Sequence, residues 1–83
     1  MDLASRIVIN PAVSLGKPCI RGTRITVESI LELLSARWTY EQIQEEYDLK
    51  LEDILAVLDY ARRIIEEEKV YKVYAETGEL ESK

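Results

Sequence analysis

Apolar and polar residues along this chain fall into one strand-like block, three helical blocks and a last short segment of mixed period. Arg6-Ile7-Val8-Ile9-Asn10 is a short β-branched run that closes at Asn10-Pro11, and it predicts a strand. From Val27, apolar residues recur at steps of three and four through Ile30, Leu31, Leu33 and Leu34, with Glu28 and Glu32 opposite. That stripe predicts an amphipathic helix ending near Ala36–Arg37. Thr26 stands where its N-cap belongs, and Glu28 suits the positive end of the helix dipole. Thr39-Tyr40-Glu41-Gln42 is a capping-box sequence, Thr-x-x-Gln, and opens a short second helix with Ile43 and Tyr47 on its inner face. Asp48-Leu49-Lys50 interrupts the period. A third helix starts at Leu51 or Glu52, where Ile54, Leu58, Ala61 and Ile65 advance along one face, widened by Leu55, Val57 and Ile64. No breaker follows before Gly78, so this helix can run past Val70, further than a small core can cover. Val70-Tyr71-Lys72-Val73-Tyr74-Ala75 fits both a helical and a strand period, and the chain turns polar from Glu76.

The rest of the chain is organised around Gly16-Lys17-Pro18-Cys19-Ile20-Arg21-Gly22-Thr23-Arg24-Ile25-Thr26. It holds two of the three glycines, one of the two prolines and the only cysteine. Gly16 and Gly22 can take positive φ, while Pro18 fixes its own φ and holds Lys17 extended, which specifies a rigid, shaped loop. Within it, Cys19–Ile20 and Arg24–Thr26 are the extended candidates. A lone strand needs a partner, so the first strand pairs either in a small hairpin here or with a second copy.

Eighty-three residues, 47% hydrophobic, make one small domain. We divide it into a strand and ordered loop (1–26), a three-helix unit (27–69) and a C-terminal extension (70–83). No apolar run is long enough to span a membrane, and the N-terminus lacks the pattern of a signal peptide. A single cysteine suits a reducing cytoplasm. The net charge of −5 is uneven. Residues 1–40 carry five basic and three acidic side chains, a net +2; residues 41–83 carry six and thirteen, a net −7. An acidic chain has no general attraction for phosphate, so any nucleic-acid contact must be local and N-terminal.

Catalytic chemistry is poorly supplied. Histidine is absent, and Cys19 has no base to activate it, so it reads as a small packed residue. Glu66, Glu67 and Glu68 point around a helix and do not converge on a metal. The loop glycines lack phosphate-loop spacing. We expect no catalytic residue, no metal, no cofactor and no enzyme. The better constellation is a short helix, a tight connection and a longer helix, the layout in which a second helix enters the major groove. Lys17, Arg21, Arg24, Lys50 and Arg62 are then the candidate nucleic-acid-binding residues. Against this stand Glu52, Asp53 and Asp59 on the third helix, which repel phosphate; a packing unit without groove contacts weighs about the same. The loop arginines read somewhat better as structural, donating to loop carbonyls or pairing with Glu28. Trp38 reads as a staple beside its cap, and Tyr47 and Tyr60 as edges of the core. Val70, Tyr71, Lys72, Val73 and Tyr74 lie beyond the three-helix unit and are the candidate partner-binding residues.

Asn10-Pro11, the run from Gly16 to Ile25 and the apolar helix that follows resemble the domain-of-unknown-function 433 family, over about Arg6 to Ile65. The resemblance implies a mainly α fold: a homeodomain-like helix-turn-helix unit preceded by a short strand or hairpin and an ordered loop, with Gly16, Pro18 and Gly22 shaping that loop. It implies the antitoxin of a type II toxin–antitoxin pair that neutralises a PIN-like nuclease toxin, represses its own operon by binding operator DNA, and forms a homodimer. Such toxins use acidic metal sites, for which Lys72 between Tyr71 and Tyr74 is the candidate blocker. The alternative is a dimeric, sequence-specific DNA-binding regulator with no toxin. The family carries glycine where this chain has Arg37, which predicts a strained left-handed cap here. Asp48 and Lys50 likewise replace the family's proline and Ser/Thr cap.

Overall fold

A computed structural model describes residues 2–68, in which three helices pack with a small antiparallel strand pair. Strand β1 (Ile7–Val8) follows a single 3-10 turn at Ala4–Arg6 and pairs with β2 (Cys19–Ile20), Ile7 opposite Ile20 and Val8 opposite Cys19. The chain thus supplies the first strand's partner itself, and the strand is shorter than Arg6–Asn10. The other edge of β2 is occupied by a bridge between Cys19 and Thr26, and the Ile20 N–H donates to the Ile25 carbonyl at 2.9 Å.

Helices α1 (Val27–Ser35), α2 (Tyr40–Tyr47) and α3 (Leu51–Glu68) follow; the three starts and the ends of α1 and α2 each have a chemical cause. The Thr26 hydroxyl accepts from the Ser29 N–H at 3.0 Å. Thr39 and Gln42 form the reciprocal capping box, at 3.1 and 2.8 Å. Trp38, just before that cap, packs on the same core as Ile43, which is the hydrophobic staple expected of it. α1 closes with the Trp38 N–H on the Leu33 carbonyl and the Arg37 N–H on the Leu34 carbonyl, a Schellman motif. Arg37 sits at φ +75°, so the strained cap expected from the sequence is present. Asp48 (φ +55°) ends α2 in the same way, with the Leu49 N–H on the Gln44 carbonyl. Lys50 caps nothing with its side chain; Asp53 reaches back instead and accepts the Lys50 N–H at 3.0 Å.

Ile20, Val27, Ile30, Ile43, Ile54 and Val57 form the buried core, so the loop segment and all three helices share one interior. Two expected inner positions are not inside. Tyr47 is 40% exposed, because left-handed Asp48 turns the chain and Leu49 packs against the core instead. Ile65 is 58% exposed, and the buried stripe of α3 runs through Ile54, Ala56 and Val57. The Ala4–Arg6 turn and β1 both pack on α3, so the helix is covered from a second side. Ile65 lies on the same face as Ile54 but about three turns further along, past Val57, the last buried position of α3. No described helix is long and apolar enough to cross a membrane. Residues 69–83, including Val70, Tyr71, Lys72, Val73 and Tyr74, lie outside the described residues.

Candidate functional site

The turn Ile20-Arg21-Gly22-Thr23 is closed by the Thr23 N–H on the Ile20 carbonyl at 3.0 Å. Gly22 has φ +80° at its third position while Arg21 is not left-handed, the signature of a type II turn. The Thr23 hydroxyl braces it, donating to the Ile20 carbonyl at 2.8 Å and accepting from the Ile25 N–H at 2.9 Å. Arg21 is tied to the neighbouring segment. Its backbone N–H donates to the Arg6 carbonyl and its Nε to the Ser5 carbonyl, each at 2.7 Å. Its two Nη groups are left outside these bonds.

A second loop faces this turn. The Val13 N–H donates to the Asn10 carbonyl at 2.8 Å across Pro11, and Asn10 Oδ1 accepts the Ala12 N–H at 2.9 Å. Ser14, Leu15 and Gly16 then take φ +50°, +59° and +80° in succession. For the two L-residues this costs roughly 1–2 kcal/mol each. Leu15 stands at the tip of that turn, 93% exposed. Ser14 Oγ donates to the Arg24 carbonyl at 3.2 Å and holds the two loops together. Between them lies a depression of about 520 Å³, lined by Val8, Asn10, Val13, Cys19, Thr23 and Arg24. Cys19 is buried at its floor, with Sγ 3.3 Å from the Lys17 carbonyl oxygen.

The five basic residues expected to bind nucleic acid do not form one track. Lys17 Nζ pairs with Glu28 at 3.3 Å near the start of α1, both side chains well exposed, which is worth little. Arg62 pairs with Asp59 at 3.0 Å and Glu66 at 3.1 Å, so its guanidinium is engaged along α3. Arg24 makes no ion pair among the described residues. Arg21 and Lys50 are linked through Arg6, which sequence reasoning passed over. Arg6 Nη1 meets Asp53 Oδ1 at 3.1 Å, while the other oxygen of Asp53 accepts the Lys50 N–H. This network joins the strand pair to the first turn of α3. No local pattern announces a pair separated by 47 positions. Leu15 was also passed over; an apolar residue between Ser14 and Gly16 in a loop was the available signal.

The outer side of α3 carries Leu51, Glu52, Leu55, Asp59, Arg62 and Glu66, which the helical period places together. The hydrogen bond from Arg62 holds the Asp59 carboxyl below its ordinary value, and the charge of Arg63, 2.9 Å away, acts the same way. The Arg62 guanidinium is correspondingly raised, chiefly by its bond to Asp59. On another side, Pro18, Val27, Leu31, Tyr60, Ala61 and Ile64 line an apolar groove of about 350 Å³ between α1 and α3, with Ile65 beside it. Among the described residues no three acidic, histidine or cysteine side chains cluster so as to hold a metal ion.

No curated protein matches this chain. A search of solved structures finds it similar to a DUF433 member protein from Anabaena variabilis, at 29% identity and a TM-score of 0.70. The match covers 78% of this chain and 65% of that one, so the chain spans less than two thirds of its relative. The family model described as a protein of unknown function, DUF433, matches residues 7–61, which hold the whole buried core and the whole ordered loop. With the loop, the strand pair and the three helices all inside or overlapping that match, the chain belongs to the DUF433 family.

Proposed function

We propose that this chain is a protein-binding module, the antitoxin of a type II toxin–antitoxin pair acting as a homodimer in the cytoplasm. One observation carries the protein-binding half. The outer side of α3, the surface a groove-reading helix would present, is apolar and acidic; its one arginine, Arg62, is engaged with carboxylates of the same helix, as is the neighbouring Arg63. Phosphate repels such a surface, and base edges find few donors on it. A protein partner tolerates both of its components. The PIN-like toxin as that partner follows from the family resemblance of the loop from Gly16 to Ile25. Val70, Tyr71, Lys72, Val73 and Tyr74 are the candidate neutralising segment. For the homodimer, support comes from α3: Ile64 and Ile65, both exposed, line the apolar groove with Leu31 and Tyr60, an apolar surface of the kind that a second copy covers. β1 no longer argues for it, since β2 already pairs with that strand.

Co-expression with the adjacent gene tests the proposal. The full chain should restore growth and co-purify with the gene product, and deletion of residues 70–83 should abolish protection. A full chain that neither protects cells nor binds the neighbouring product removes the antitoxin reading. The second reading, a DNA-binding regulator that includes autorepression, is favoured by Lys50 at the N-terminus of α3 and by Arg6, which ties the segment holding Arg21 to that helix's first turn. It requires binding to the chain's own upstream DNA at low salt. Arg21→Ala should then flatten the salt slope by about one unit.

A further inference from the structure

We propose that the paired loops around Arg24 bind a protein segment presenting a carboxylate beside an apolar side chain, Arg24 taking the carboxylate and Leu15 the apolar contact. The inference rests on the protein-binding reading but not on the identity of the toxin. Charge is the first argument. From Leu3 to Val27 there is no acidic residue, in a chain that has sixteen. Two cations of that stretch are answered from elsewhere, Arg6 by Asp53 and Lys17 by Glu28. Arg24 is answered by none among the described residues and lines a depression whose walls carry no carboxylate. A guanidinium there recognises one oxyanion, and a carboxylate matches its fork in two parallel bonds.

Shape is the second argument. Val8 and Val13 make part of the wall apolar, which suits a carboxylate on an aliphatic stem better than a bare phosphate. A nucleic-acid strand needs a row of cations; here Arg6 and Lys17 are paired, Arg21 gives its Nε to the Ser5 carbonyl, and Arg24 is the cation that lines the depression. The third argument is Leu15. It is held in a left-handed conformation and almost fully exposed on the loop that Ser14 binds to Arg24. Strained backbone that displays an apolar side chain next to an unanswered cation is a binding feature, since strain persists where function uses it.

Titrating the isotope-labelled full chain, with amide signals followed by NMR, tests this. The probes are a blocked pentapeptide with one glutamate between two leucines, its glutamine analogue, glutarate, and a twelve-base-pair DNA duplex. The glutamate peptide should move the signals of Leu15, Gly22, Thr23 and Arg24 and saturate. The glutamine analogue should bind about tenfold more weakly, as should the glutamate peptide to Arg24→Gln, whose remaining spectrum stays unchanged. Leu15→Ala should weaken the peptide and leave glutarate as it was. Equal binding of the glutamine analogue, or parent-like binding by Arg24→Gln, overturns the proposal. So does glutarate matching the peptide, which would make the ligand a free acid, or the duplex moving the same signals at physiological salt. Peptide binding together with failed growth protection would sink the toxin reading and leave this one standing; protection without peptide binding would do the reverse.

Discussion

Substitution of Gly22 separates backbone strain from crowding. Gly22 sits at φ +80°, and nothing lies within 4 Å of where its Cβ would stand. A side chain there meets open space, so its whole cost is conformational. An L-residue held left-handed loses roughly 1–2 kcal/mol, and β-branching adds to that. We expect Gly22→Ala to cost about 1 kcal/mol and Gly22→Val about 2–3 kcal/mol. Gly22→Asn should fall below both, since asparagine tolerates positive φ. In a domain of this size each kcal/mol lowers Tm by roughly 4–8 °C, so the valine variant should melt about 10–20 °C below the parent. Denaturant melts with an unchanged m-value would show that the native state lost stability and the unfolded state was not altered. Chemical ligation supplies the decisive control, D-alanine at position 22. It favours positive φ and should raise stability by about 0.5 kcal/mol by restricting the unfolded chain. A valine variant with the parent's Tm refutes the reasoning, as does a D-alanine variant as damaged as the L-alanine one.

The remaining predictions use the same assays. Arg37→Gly should stabilise by roughly 0.5–1 kcal/mol, because φ +75° costs arginine more than glycine loses in chain entropy; a lower Tm would refute this. Asp53→Ala should cost about 1–2.5 kcal/mol through the lost Lys50 N–H bond and the part-buried Arg6 pair. In a cycle with Arg6→Ala the coupling should be about 0.5–1 kcal/mol, and zero coupling would mean that only the helix start is at stake. Asp59 has a depressed carboxyl, so its contribution is present above the unfolded value near pH 4 and is lost as pH falls through the lower folded value. Asp59→Asn should therefore flatten the acid limb of a Tm-against-pH curve, and an unchanged limb would count against the pairing.

Much of this protein is decided by local chemistry, and the sequence by itself determines that part. Thr26, Thr39 with Gln42, and the turn glycine Gly22 each act within three or four residues, so the starts of α1 and α2 and the shape of the loop are legible without any tertiary knowledge. The left-handed cap at Arg37 is expected from the glycine that the resembled family carries there, and it is present. Choices between distant partners are of another kind. Period alone left the first strand a hairpin or a dimer contact, and pairing with Cys19–Ile20 decided it. Period placed Ile65 inside and did not single out Ala56; the core ends before it reaches Ile65 along α3, and a helix covered from two sides buries a stripe that one-sided amphipathicity does not show. The charges followed the same rule. Counting acids on α3 could not reveal that Asp53 is answered by Arg6, nor that Arg24 is left unanswered. Those facts depend on which loops meet in space, and only the tertiary structure sets that.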